Sequence, residues 1–227
     1  MGTDLQRREM VERQLVARGI TDEAVLRAMA QVPREAFVRA DLADVAYRDT
    51  PLPIDEGQTV SQPFIVALMA SAAQLRGHER VLEVGTGSGY GAAVLSRLAQ
   101  HVYTVERLQG LARSAATRLQ RLGYRNITVL HGDGTLGDPT HAPYDAIVVT
   151  AAAPRVPEAL VEQLADGGRL VIPVAPELDA QALRRFTREG ERLRSEDLGM
   201  VQFVPLVGEH GWRPVDGSWE LQPPGTH

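Results

Sequence analysis

The stretch VLEVGTGSGYG, Val81 to Gly91, decides how the rest of the chain is read. Val81, Leu82 and Val84 form a short apolar run of strand type, and Gly85, Gly87 and Gly89 follow at once and open a helical stretch. Glycines at such a junction let the backbone turn sharply and press against a ligand that side chains would hold off. A tight turn alone would not also call for an acid closing the next apolar run, yet Glu106 stands there. A carboxylate in that place can accept both hydroxyls of an adenosine ribose, so the pattern points to an adenosine-containing cofactor as a class.

Outward from this stretch, short apolar runs alternate with helical ones. After RVLEV and a helix through Leu98 come HVYTVE, a helix to Leu122, NITVLHG, YDAIVVT, a helix from Pro157 to Leu164, and GGRLVIPV. This rhythm predicts an α/β fold with five strands in a doubly wound parallel sheet, and right-handed crossovers put helices on both faces. On the amino-terminal side, Leu5, Met10, Val11 and Leu15 predict a helix stopped at Gly19, with Thr21 and Asp22 as caps for the next. Pro51 and Pro53 introduce the polar loop DEGQTVSQP, after which Phe64 to Leu75 resume a helical pattern. Beyond Pro176, QALRRFTREG and ERLRSEDLG predict two antiparallel strands joined by a Glu-Gly turn. A last strand is expected over Met200 to Val207, then a loosely held tail. The expected organisation is one domain over 1–208: N-terminal helices and a substrate loop (1–76), a cofactor-binding core (77–175) and C-terminal strands (176–208). The tail is 209–227.

Composition narrows the chemistry. A chain of 227 residues suits a single core. Cysteine and lysine are both absent, which removes thiol nucleophiles, cysteine-ligated metals, Schiff-base lysines and the phosphate lysine of P-loop enzymes. The 24 basic residues are therefore all arginine, and with 29 acidic ones and a formal charge of −5 they form no basic block. A nucleic-acid partner is not expected. Apolar runs fall short of the ~20 residues of a membrane helix and MGTDLQRREMVERQ is charged, so a cytoplasmic protein without a membrane partner is expected. Arg184, Arg185, Arg188, Arg192 and Arg194, interspersed with Glu on the predicted hairpin, read as a solvated face. Ser88 lies in Gly-Ser-Gly, not a nucleophile elbow, and the six histidines lack an H-x-x-x-H pair, so neither a serine hydrolase nor a metal site is expected. Trp212 and Trp219 read as packing or capping residues.

The cofactor class divides on charge. A dinucleotide pyrophosphate asks for G-x-G-x-x-G, which Gly87, Gly89 and Ala92 fit only out of register. S-adenosylmethionine carries a sulfonium and an ammonium instead of phosphate and favours carboxylates, and Glu83 sits two residues before Gly85. The turn His131-Gly132-Asp133-Gly134 would add a carboxylate beside the adenine edge.

VLEVGTGSGY, VYTVER, HGDG, YDAIVVTAAAP and the loop GQTVSQP, in this order, resemble the protein-L-isoaspartate O-methyltransferase family, as do VPREAF and FVPL. The resemblance spans roughly Met10 to Val207. It implies a Rossmann-like class I methyltransferase sheet with N-terminal helices and a C-terminal antiparallel strand pair. It implies methyl transfer from S-adenosyl-L-methionine to the free α-carboxylate of L-isoaspartyl residues in damaged proteins or peptides, initiating repair through a succinimide. By motif, Ser61 takes the family's active-site serine. Cofactor contacts are expected from Thr59, Val60, Ser61, Glu83, Gly85, Thr86, Gly87, Ser88, Glu106, Arg107, Gly132, Asp133 and Gly134. The peptide is expected against Thr59, Ser61, Thr150, Ala151, Val204, Pro205 and Leu206, in a monomer. A carboxylate nucleophile is ionised at neutral pH and needs no general base, so Ser61 would orient it by a hydrogen bond. The other role open to Ser61 is a helix cap ahead of Gln62 and Pro63. Three departures stand out: Gly91 where the family commonly has Gln, AAAP in place of AAPP, and the tail beyond Gly208. Two rivals keep the same cofactor site: methylation of ordinary Asp in a dedicated biosynthetic peptide, and a non-catalytic adenosine-cofactor sensor. Retention of the whole GQTVSQP loop favours an enzyme.

Overall fold

The structure is a computed structural model that describes residues 2–216 and 218–221. Helix α1 (Thr3–Met10) runs on through a π turn (Val11–Leu15) and a 3₁₀ turn (Val16–Arg18), and Gly19 at φ 93° ends it. Helix α2 (Glu23–Gln31) begins at Asp22, whose carboxylate accepts the N–H groups of Ala24 and Val25. Two short strands, β1 (Leu52–Pro53) and β2 (Thr59–Val60), pair antiparallel and frame the loop that leads into α3 (Pro63–Ala72).

The alternating core follows as β3 (Arg80–Val84), α4 (Tyr90–Leu95), β4 (His101–Glu106), α5 (Gln109–Arg121), β5 (Ile127–His131), β6 (Tyr144–Val149), α6 (Glu158–Glu162) and β7 (Leu164–Val174). The hairpin β8 (Gln181–Glu189) and β9 (Arg192–Val201) completes a seven-stranded sheet in the order β5-β4-β3-β6-β7-β8-β9. β3 to β7 are parallel, and β8 and β9 are antiparallel additions. The chain steps outward from β3 to β5, then crosses to the other side of β3 to lay down β6. Loops leaving β3 and β6 therefore diverge, and a crevice is left at their carboxyl ends.

Because the parallel strands are covered on both faces, their apolar residues alternate between two layers. Val81, Ala146 and Val148 face α3, α4 and the N-terminal helices, whereas Leu82, Ile147, Val149, Leu170 and Ile172 face α6 and the opposite side. Glu83 shares the first face and is the charged exception in an otherwise apolar wall.

Two expectations change. Met200 and Val201 finish β9, and 202–207 form no separate strand. That segment is instead stitched to Ala152, whose N–H donates to the Val204 carbonyl and whose carbonyl accepts the Leu206 N–H, both at 2.8 Å. The start of the tail is anchored, since Trp212 is 5% exposed, and β10 (Trp212–Val215) pairs antiparallel with β11 (Ser218–Leu221) in a two-stranded sheet of its own. Residues 222–227 of the expected tail lie outside the described residues. The expected solvated arginine face holds only in part: Arg184, Arg192 and Arg194 are exposed, whereas Arg185 and Arg188 are partly buried, Arg185 pairing with Glu196 and Arg188 donating to the main-chain carbonyls of Val161 and Glu162. Among the described residues, no helix is long and apolar enough to cross a membrane.

Candidate active site

The crevice beside β3 and β6 is walled by main chain brought into close approach. Gly85 adopts φ 98°, and its carbonyl accepts the Thr150 hydroxyl at 2.8 Å. A Cβ at Gly85 would collide with that hydroxyl, so only glycine joins the two strand ends here. Gly85 N–H donates to the Val105 carbonyl and Thr150 N–H to that of Val84, which carries the sheet ladder to the lip of the cleft.

At the end of β4, Glu106 is 7% exposed. Its Oε2 accepts the Gly87 N–H and its Oε1 the Leu108 N–H, both at 2.9 Å. The carboxylate thus fixes the glycine loop and the start of α5, and each oxygen keeps a lone pair for a ligand hydroxyl. Glu83 lies deeper, 1% exposed. Its Oε2 accepts the Thr104 hydroxyl at 2.6 Å, and Thr104 Oγ1 lies 2.6 Å from Thr86 Oγ1. Among the described residues no donor reaches Oε1, which fills the space above Gly91, where any Cβ would strike it. Burial pushes the Glu83 carboxyl up to about 8; the Thr104 hydroxyl opposes this and the Glu106 carboxylate adds to it.

Ser61 enters from the other side. It is half-buried and shares a cavity of about 370 Å³ with Thr59, Val60, Glu83, Gly85, Thr86, Gly87, Ser88 and Thr150. An adjoining open cleft of about 590 Å³ is lined by Gln58, Thr59, Gly85, Gly87, Glu106, Arg107, Leu108, Gly134, Thr150, Ala151 and residues 204–207. The two share Thr59, Gly85, Gly87 and Thr150, so a ligand can extend from one into the other. Ser61 is not the cap of α3. That position belongs to Gln62, whose side chain makes no cap bond. The Phe64 N–H is taken instead by Asp49 Oδ1 at 2.9 Å. Asp49 also pairs with Arg18, whose guanidinium lies 3.6 Å from the Phe64 ring centroid.

Most residues expected at a site therefore meet around one crevice. Gly132 and Asp133 do not line it. The Asp133 carboxylate turns away, Oδ1 accepting the Thr135 N–H and hydroxyl and Oδ2 the Glu209 N–H. Sequence reasoning did not single out Gln58, Leu108, Tyr90 or Val207. Gln58 lay inside the quoted loop and Leu108 two residues past Glu106, so proximity to a motif was their only signal.

The residues fit the charge and shape of a sulfonium nucleoside. An unpartnered carboxylate oxygen suits an ammonium, Glu106 suits a ribose diol, and the buried Ser88 hydroxyl, which finds no partner among the described residues, is a further polar group beside the loop. No His, Lys or Cys lines either cavity.

Comparison with known proteins agrees. The family model described as protein-L-isoaspartate(D-aspartate) O-methyltransferase matches residues 5–211. A protein-L-isoaspartate O-methyltransferase of Protochlamydia amoebophila is 57% identical over 210 residues, 92% of this chain and 100% of the relative. A solved protein-L-isoaspartate O-methyltransferase superposes with a TM-score of 0.83 at 32% identity, covering 90% of this chain and 67% of the other. A Plasmodium falciparum chain described as a member of the same group, solved in complex with S-adenosyl-L-homocysteine, gives 0.75 at 28% identity, over 88% and 98% of the two chains.

Proposed function

We propose how the cleft works from one premise: this chain belongs to the protein-L-isoaspartate(D-aspartate) O-methyltransferase family. It is an S-adenosylmethionine-dependent carboxyl O-methyltransferase that acts on isoaspartyl residues of proteins. When bound, the cofactor supplies an activated methyl group on a positively charged sulfur, so the leaving group departs neutral.

The chain's own residues then have three tasks. Glu83 holds the cofactor's ammonium on its free oxygen, and Glu106 its ribose hydroxyls, which fixes the position of the donor carbon. Ser61 donates a hydrogen bond to one oxygen of the incoming α-carboxylate and leaves the other free to attack. Thr59, Thr150, Ala151 and the main chain of Val204 to Leu206 receive the flanking peptide. A carboxylate is already anionic at neutral pH, so no residue has to take a proton, and alignment with exclusion of water supplies the rate. With the cofactor bound, transfer would form one carbon–oxygen bond at the acceptor and break one carbon–sulfur bond, the electron pair going to sulfur. The resulting ester has a better leaving group than the carboxylate, which opens the way to a succinimide.

The observation that carries this reading is the meeting of Ser61, Thr150 and an unpartnered Glu83 oxygen in one cavity that, among the described residues, no His, Lys or Cys lines. The test is incubation with labelled S-adenosylmethionine and matched peptides holding L-isoaspartate, L-aspartate or D-aspartate at one site. Base-labile label is expected on the L-isoaspartyl peptide. Label on L-aspartate in its place would overturn the substrate assignment, and none on any peptide would overturn transfer. As part of the same proposal the enzyme works as a monomer, to be checked by light scattering at assay concentration.

A further inference from the structure

The segment that receives the peptide is not anchored by the sheet alone. Val204 to Val207 leave β9, cross the crevice mouth and bridge to Ala152, which follows the cleft residue Ala151, and to Trp212. The Ala152 carbonyl accepts two donors: the Leu206 N–H at 2.8 Å and, at 3.0 Å, the indole Nε1–H of Trp212. Trp212 also donates its backbone N–H to the Leu206 carbonyl at 2.7 Å. The indole therefore closes a ring with Leu206 and Ala152, a residue of one cleft wall and the neighbour of a residue in the other. Between them the chain doubles back through Gly208 and Gly211. Its outer edge is pinned where Glu209 N–H donates to Asp133 Oδ2 and His210 N–H to the Thr135 hydroxyl. A Cβ at Gly208 would strike the Asp133 carboxylate, and one at Gly211 the Leu206 carbonyl, so the loop is tightly packed on its anchors.

We infer that Trp212 is a positioning residue for the peptide substrate, and that Asp133 serves the same strap by holding its far edge. Trp212 lies one residue past the part of the chain that the family model matches, and it touches the peptide wall rather than the reacting atoms. The inference rests on the functional reading given above. It goes further in assigning the start of the tail to substrate selection: residues 204–206 are joined to Ala152 by two main-chain hydrogen bonds of their own, and the indole and the Trp212 N–H reinforce that junction so that it presents a fixed edge to an extended peptide. Losing the tie leaves the cofactor carboxylates, Glu83 and Glu106, in place, because neither touches the strap.

The test compares Trp212→Phe with wild type in the full-length protein. Phenylalanine keeps most of the packing and removes the N–H donor. One buried hydrogen bond is worth on the order of 1 kcal/mol, so KM for the isoaspartyl peptide should rise roughly five-fold. Little change in kcat is expected, and the Kd of S-adenosylhomocysteine, measured by calorimetry, should stay at its wild-type value. A merely structural residue would move both affinities together or neither. Since the chain has two tryptophans, Trp219→Phe leaves Trp212 as the sole tryptophan, and its fluorescence, excited beyond the tyrosine band, should shift when isoaspartyl peptide is added to the protein saturated with S-adenosylhomocysteine. Amide exchange of Leu206 should quicken in Trp212→Phe. An unchanged peptide KM, equal losses in peptide KM and S-adenosylhomocysteine affinity, or unaltered Leu206 exchange would each overturn the inference. Wild-type turnover of the same peptide is measured alongside: its absence strikes the functional reading, whereas its presence with a wild-type KM in Trp212→Phe strikes only the role of the tail.

Discussion

Replacing Glu83 with glutamine should make the cofactor-free protein more stable and at the same time poorer at binding the cofactor. Glu83 is 1% exposed, and burial pushes its carboxyl up to about 8. In the unfolded chain the same group has the ordinary value of 4.5. A carboxyl that binds its proton more tightly folded than unfolded stabilises the fold fully below the unfolded value. That contribution is lost as pH rises toward the folded one. Each unit is worth about 1.4 kcal/mol, so at pH 7 the wild type has given up about 3 kcal/mol relative to its protonated form. Glutamine has nearly the shape of the protonated acid, can still accept from Thr104, and does not titrate. The variant should therefore exceed wild type by about 3 kcal/mol at pH 7, or roughly 6–12 °C in Tm for a chain of this size. The difference should shrink to nothing near pH 4.5. Urea unfolding of both proteins between pH 4.5 and 8.5 measures it, and because every other group titrates in both, the difference isolates Glu83. S-adenosylhomocysteine affinity of the wild type should fall by up to ten-fold per pH unit below about 8, where binding must first remove the proton. In Glu83→Gln affinity should be at least ten-fold weaker at pH 8 and flat below it. Parallel stability curves for the two proteins, or a variant less stable than wild type at pH 7, would refute the reasoning.

Ser61→Ala should lower turnover of the isoaspartyl peptide by roughly ten-fold, the worth of one hydrogen bond to a charged oxygen, while S-adenosylhomocysteine affinity changes little; wild-type turnover would remove the proposed role. Asp49→Ala removes the group that caps α3, and should cost about 1 kcal/mol in urea unfolding and raise the peptide KM, since Ser61 stands just before that helix. Unaltered stability would show that water caps the helix as well as Asp49 does. Gly91→Ala places a Cβ against Glu83 Oε1, so the carboxylate must swing away from its cavity; S-adenosylhomocysteine titration should show weaker binding, and an equal Kd would show that Glu83 relaxes without loss.

The parallel sheet and the cofactor half of the site were legible because they depend on local pattern. The apolar run before Gly85 and the acid closing β4 both sit at fixed offsets along the chain, and the turn at Gly190 is marked by its own Glu-Gly pair. What escaped was built from long-range partners. Asp49 reaches Phe64 fifteen positions on, and Asp133 meets Glu209 across 76 positions. No periodicity marks either contact. The reading of Asp133 shows the limit clearly. Its place in HGDG suggested a cofactor contact, and the carboxylate accepts from Thr135 and Glu209, an arrangement that depends on where residues after β9 return. The expected strand over 200–207 failed for a related reason: its apolar residues are paired with the loop after β6 rather than with a sheet edge, and composition does not distinguish the two.

The burial of Glu83 and the absence of a general base belong to the same solution. An acceptor that arrives as an anion needs no proton removed, so the only charges the protein must manage are those of the donor and the acceptor. Holding a cation with a carboxylate in water is weak, about 1 kcal/mol at 4 Å, whereas near an effective dielectric of 20 it approaches 4 kcal/mol. Withdrawing Glu83 behind Thr104 and over Gly91 moves it toward the second regime. The same withdrawal costs the empty protein about 3 kcal/mol at neutral pH through the raised carboxyl. Both effects have one origin, the loss of water around a single carboxylate. Ser61 lines the same cavity but is half-buried, so water would leave it only as cofactor and peptide fill the space. On the proposed mechanism, the desolvation that weakens the cofactor-free fold therefore strengthens the hold on the donor beside the space that the acceptor enters.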